Sequence, residues 1–200
     1  MHVGTAASNH PSARADPGVT DSNPGISTEW FGILPWFVPV VALSFVIGLA
    51  VSRALGRRLK IPPWVGVGMV CAVGVILAST LTPLGPAAEG GRFEVCDFSR
   101  VGIVELGKLR RINDESLNVL LFIPIGLAVA AVPGWKPRVG LFVAAVALPV
   151  VIEAIQLLVP ILRRGCESAD IVDNLTGLIV GLGIGMVMIF IGGRSWTGAR

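Results

Sequence analysis

Glu153 and Gln156 stand three residues apart inside an apolar run, Arg163 and Arg164 follow it, and Asp170 and Asn174 open the next run. Asn118 lies in the first turns of an earlier apolar stretch. A charge at the centre of a membrane helix costs on the order of 2.5 to 3.5 kcal/mol on insertion scales, so Glu153 calls for a partner, a proton or a purpose. A carboxyl in that setting can act as a general acid or base. It can also pair with a guanidinium, and the fork of an arginine fits a carboxylate or a phosphate equally well. If the segment from Pro160 to Ser168 folds back, Arg163 or Arg164 reaches Glu153.

Glu153 and Gln156 share a helix face. Asp170, Asn174, Gly177, Gly181 and Gly185 advance by four, three, four and four residues, which keeps them on one stripe. Its outer end is polar and its deeper part is glycine, the small-residue pattern that lets a second helix approach closely. The expected neighbour is the preceding helix, which would bring Asp170 and Asn174 toward Glu153 and Gln156. Taken singly, Asn118, Gln156 and Asn174 read as interhelical hydrogen-bonding groups worth about 0.6 kcal/mol each. Asp170 reads as a cap on the positive end of its helix, and Asp173 as a solvated or headgroup-facing acid off the stripe.

The elements that position these groups follow from composition. Of 200 residues, 53% are hydrophobic and 14% charged, against about a quarter charged in a soluble domain. Apolar runs span about 31–51, 64–84, 117–132, 139–160 and 171–191, near the 20 residues that cross a bilayer. The expected fold is all-α: a polytopic transmembrane bundle of about five spans over 31–192, with a disordered tail at 1–30 and a short C-terminal tail at 193–200. Pro124 and Pro149 interrupt the third and fourth runs and remove one amide donor each. The five tryptophans fall near span ends, as an interfacial belt would place them. The lipid bilayer is the expected partner. Nucleic acid is not, because the net charge is only +3 and the bases sit in short clusters.

The loops after the first, third and fifth runs carry eight bases and no acid. The opposite side also carries eight bases, mixed with acids in the stretch from Gly85 to Ser116. The uniformly basic loops are therefore placed in the cytoplasm, with the N-terminus outside, the C-terminus inside and the protein multi-pass in the cell membrane. Cys96 and Cys166 then both lie outside, where a disulfide is permitted and two free thiols are the alternative. Cys71 falls within the second run. The residues show no GxSxG, HExxH, CxxC or phosphate loop, His2 and His10 lie in the tail, and no cofactor or metal is expected.

The chain resembles the VanZ-like family of bacterial membrane proteins. The resemblance is carried by Asn118 to Gly126, NVLLFIPIG, ending in F-x-P-x-G, and by Glu153 and Gln156 as E-x-x-Q. It continues through the arginines at 163 and 164, the pair Cys166-Glu167, and D-x-x-x-N-x-x-G at Asp170, Asn174 and Gly177, then Gly181. Thr80-Leu81-Thr82-Pro83 is a weaker match. Ala169 stands where the family often has a second acid, and Asp173 where an apolar residue is usual. The resemblance implies a cell-envelope protein, the namesake being associated with low-level resistance to the glycopeptide teicoplanin, and it brings no settled reaction.

Three functions are compatible with these residues. The first is a non-enzymatic protein whose outer-leaflet polar pocket binds a lipid-linked envelope intermediate or an amphiphilic glycopeptide. The second is a membrane hydrolase or transferase acting on a lipid-linked substrate with Glu153 as acid or base. The third is a structural assembly subunit in which the glycine seam makes the contacts.

Overall fold

The computed structural model describes residues 33–86, 95–100, 102 and 114–192. Both tails, including the histidines, Trp30 and Trp196, lie outside the described residues, as do Arg92, Lys108, Arg110 and Arg111 of the long loop. Among the described residues, five α-helices follow in order: α1 Phe37–Leu59, α2 Pro63–Thr80, α3 Asp114–Ala131, α4 Trp135–Leu158 and α5 Ser168–Ile191. With no water in the hydrocarbon to satisfy amides and carbonyls, a spanning segment must bond them internally, and a helix does so. Four of the five are long and apolar enough to cross a membrane, while the apolar part of α3, Glu115–Ala131, is shorter.

Helix α1 begins and ends later than its apolar run, because helical hydrogen bonding continues through Arg53, Arg57 and Arg58 after hydrophobicity has ended. Lys60 then closes it in the left-handed conformation, at φ 56°, with its amide on the Gly56 carbonyl. Pro63 opens α2 in the first turn, where its missing amide costs nothing. Gly134, at φ 85°, provides the turn into α4 that a side chain would strain. Helices α3 and α4 both run on through their internal prolines.

Helices α1 and α2 form one antiparallel pair. Ser44, Gly48, Ser52 and Gly56 recur every fourth residue, and the last three are buried on α2. A Cβ on Gly48 would meet the Val67 carbonyl oxygen at 3.4 Å, and one on Gly66 would meet the Ser52 carbonyl oxygen at the same distance. The remaining helices surround α3, whose Phe122, Ile125 and Val129 meet Ala72 and Ile76 of α2, Ala145 and Ile152 of α4, and Leu178 of α5 in the main core.

The glycine seam of α5 packs on α3 and not on the preceding helix. Methyl groups at Gly177 and Gly181 would overlap the carbonyls of Val119 and Ile123, and one at Gly185 would strike Ala130. The contact is reciprocal, since a Cβ on Gly126 of α3 would overlap the Leu178 carbonyl of α5. Backbones this close exchange dispersion and Cα–H···O contacts that any side chain would prevent. Glycine therefore selects the backbone of α3.

A short parallel bridge completes the fold. Strand β1, Cys96–Asp97, pairs with β2, Cys166–Glu167, Cys96 opposite Cys166 and Asp97 opposite Glu167. The two sulfurs are bonded, with the Cα atoms 4.6 Å apart. Cys71 is a free thiol within α2.

Candidate functional site

The polar residues gather where α2 and α4 end and α3 and α5 begin. Three groups of contacts build this end of the bundle.

The first clamps the segment after α2 to the connection after α4. Gln156 donates through Nε2 to the Thr80 carbonyl at 2.8 Å, and Arg164 through Nε to the Thr82 carbonyl at 3.2 Å. Arg163 donates to the Gly85 carbonyl at 3.2 Å, while the Leu84 amide reaches the Leu162 carbonyl. Pro160–Leu162 forms a 3-10 turn, and Arg163 follows it in the left-handed conformation at φ 56°, turning the chain toward β2. The side chains of Thr80 and Thr82 are occupied with the carbonyls of Ile76 and Ala78 in their own helical turns. Their backbone oxygens are thereby left for the α4–α5 connection. Gln156 has turned away from α5, so it supports the clamp and does not join Asp170 and Asn174.

The second group surrounds Glu153, which is only 3% exposed. Its carboxylate accepts the Glu167 amide at 2.8 Å, tying the C-terminal turns of α4 to the start of α5. The guanidinium of Arg164 lies within electrostatic range of Asp170 and Glu153. Burial pushes that guanidinium down from its ordinary value, and the Asp170 and then the Glu153 carboxylates oppose the shift. Among the described residues, no arginine hydrogen-bonds to Glu153 directly. The fold-back of residues 160–168 instead delivers a backbone amide to the carboxylate and keeps Arg164 near it.

The third group centres on α5. Asn118 of α3 donates through Nδ2 to Asp170 at 2.7 Å, so Asp170 is held by a neighbouring helix as well as by its place in the first turn. Arg100, from the loop beside β1, donates to Asp173 and stands 3.8 Å from Glu115. The Asp173 hydrogen bond raises the Arg100 guanidinium above its ordinary value; desolvation opposes it, and the charges of Asp173, Glu115 and Asp170 add to the rise. The Ser168 hydroxyl donates to the Arg100 carbonyl at 2.8 Å and, with the Cys96–Cys166 bond, holds the loop in place.

Asp173 is thus fully buried and not a solvated acid. It lies three residues after Asp170 and four before Gly177, and the buried sector of α5 is wide enough to include that flank. Arg100 is the contributor that reasoning from the sequence missed. The available signal was its position four residues after Cys96, since a disulfide to Cys166 would bring it to the start of α5.

Some buried polar atoms in this region have no hydrogen-bond partner among the described residues: Asn174 Oδ1, Gln156 Oε1 and the second Nη of Arg164. Asn174 is 1% exposed. A buried polar atom left unpaired costs about 1 to 3 kcal/mol, so each of these atoms calls for a physical explanation. Among the described residues, no group of three or more His, Cys, Asp or Glu side chains could hold a metal ion.

These features define a class: a membrane protein built as a helical bundle, with one end carrying a buried, crosslinked polar cluster. The chain belongs to the VanZ/LLP1 family, whose model matches residues 69–190, from within α2 to the last turn of α5. All three contact groups fall within that match, and α1 lies before it. Comparison with curated proteins found no match, and comparison with solved structures found none either.

Proposed function

We propose that this VanZ-like protein recognises the polar head of an amphiphile, a lipid-linked envelope intermediate or a glycopeptide antibiotic, at the end of the bundle that carries Glu153, Asp170 and Asn174. The observation that carries the reading is the unpaired state of Asn174 Oδ1 and Arg164 Nη beside a charged cluster held by four helices. One offers an acceptor and the other a donor, a pairing suited to amide, hydroxyl or phosphate groups.

An outward orientation supports the same reading. The Cys96–Cys166 bond belongs to an oxidising compartment. The opposite end of the bundle carries bases without acids, as cytoplasmic loops do. The protein would then lie in the cell membrane with its recognition end in the outer leaflet.

Glu153→Gln and Asn174→Ala variants, shown to insert normally, test the proposal through binding of a lipid-linked precursor or of teicoplanin, and through teicoplanin susceptibility of the producing cells. Binding weakened about tenfold, the equivalent of one lost hydrogen bond in a dry site, is the expected result. Unchanged binding and susceptibility would remove the recognition role.

A structural reading draws on a different observation, that Glu153, Asp170 and Asp173 all have protein partners. Under it, Asn174→Ala would leave every ligand measurement unchanged and alter thermal stability alone. Turnover of a lipid-phosphate substrate that disappears in Glu153→Gln would instead make the cluster catalytic.

A further inference from the structure

The end of the bundle away from the polar cluster contains a repeated corner. Ile61-Pro62-Pro63-Trp64 joins α1 to α2, and Val132-Pro133-Gly134-Trp135 joins α3 to α4. Each reads as a β-branched residue, a proline, a turn residue and a tryptophan. The two corners touch, because Ile61 and Val65 pack against Val132 in a small core of their own, with exposures of 5%, 6% and 0%. Arg138 fixes the second corner further by donating through Nε to the Val132 carbonyl at 3.0 Å.

This packing merges two short basic loops into one face. Arg57, Arg58 and Lys60 precede the first corner and Lys136 follows the second, all four exposed. Nothing acidic offsets them: there is no Asp or Glu from 33 to 86 or from 116 to 152. Trp64 and Trp135, 63% and 77% exposed, stand beside the charges, and exposed indoles of membrane helices mark headgroup level.

We propose that this face binds the phosphate headgroups of anionic lipids in the leaflet it meets. Guanidinium forks and ammonium groups at headgroup depth suit phosphodiesters, and the tryptophans rule against a partner held away from the bilayer. The proposal does not depend on the reading of the polar end, and its test involves none of that end's residues.

The full chain is reconstituted in nanodiscs of phosphatidylcholine with a minor fraction of phosphatidylglycerol, released gently, and its retained lipids counted by native mass spectrometry. Enrichment of phosphatidylglycerol over its bulk fraction on the order of fivefold or more is expected, each basic residue near a surface contributing about that factor. Raising the salt concentration lowers the enrichment, and the variant Arg57→Gln/Arg58→Gln/Lys60→Gln/Lys136→Gln abolishes it. No enrichment in the wild type, enrichment indifferent to salt, or enrichment retained by the folded variant would each overturn the proposal. So would full displacement of the lipid by inorganic phosphate at matched ionic strength, which would identify free phosphate as the ligand. If the fourfold variant fails to fold in phosphatidylcholine, the salt series on the wild type and the single variants Arg58→Gln and Lys136→Gln decide the matter.

Discussion

Arg100, in a loop outside the membrane spans, donates a hydrogen bond to Asp173, whose side chain is wholly buried in the first turns of α5. A carboxylate there carries a desolvation penalty of several kcal/mol, which the guanidinium helps to offset. Loss of one partner should therefore cost more than loss of both. Arg100→Met is expected to lower stability by about 3 kcal/mol, and Arg100→Met/Asp173→Leu by clearly less. Thermal unfolding of the four proteins of this cycle in one detergent measures the coupling.

The α3–α5 seam gives an internal control. A methyl at Gly181 would overlap the Ile123 carbonyl, whereas one at Gly183, two residues on, meets nothing within 4 Å. Gly181→Ala should lower the melting temperature markedly, because backbone must shift to admit it, at a cost of about 1 to 3 kcal/mol. Gly183→Ala should be neutral or slightly stabilising. Equal melting temperatures for the two variants would contradict the close approach of α3.

Of the three cysteines, two are bonded and Cys71 is free. Denatured but unreduced protein should therefore take up one maleimide, and reduced protein three. Cys96→Ser should destabilise the fold by about 2 to 4 kcal/mol and loosen Arg100 from Asp173. Three reactive thiols in protein isolated without reductant would count against both the bond and an outward-facing polar end.

Arg163 holds a left-handed backbone and also bonds the Gly85 carbonyl. Arg163→Ala loses the bond and keeps the strain, while Arg163→Gly loses the bond and relieves it. The glycine variant should be the more stable of the two by about 1 kcal/mol, the cost of a side chain in this conformation. Paired denaturation curves would show the difference.

Hydrophobic length and charge placement are properties of the linear chain, and they are enough to give the helical fold and the contrast between a purely basic end and a mixed one, but not which polar residues meet at the latter. The stripe Ser44, Gly48, Ser52 and Gly56 is equally visible in the linear chain, and it packs α1 on α2. Helical periodicity states which residues share a face; it does not state which neighbour that face meets. Only the tertiary structure could give the glycine seam to α3, turn Gln156 toward Thr80, and bury Asp173 beneath Arg100. Each of those outcomes depends on how closely two backbones can approach, a distance fixed by the whole bundle at once.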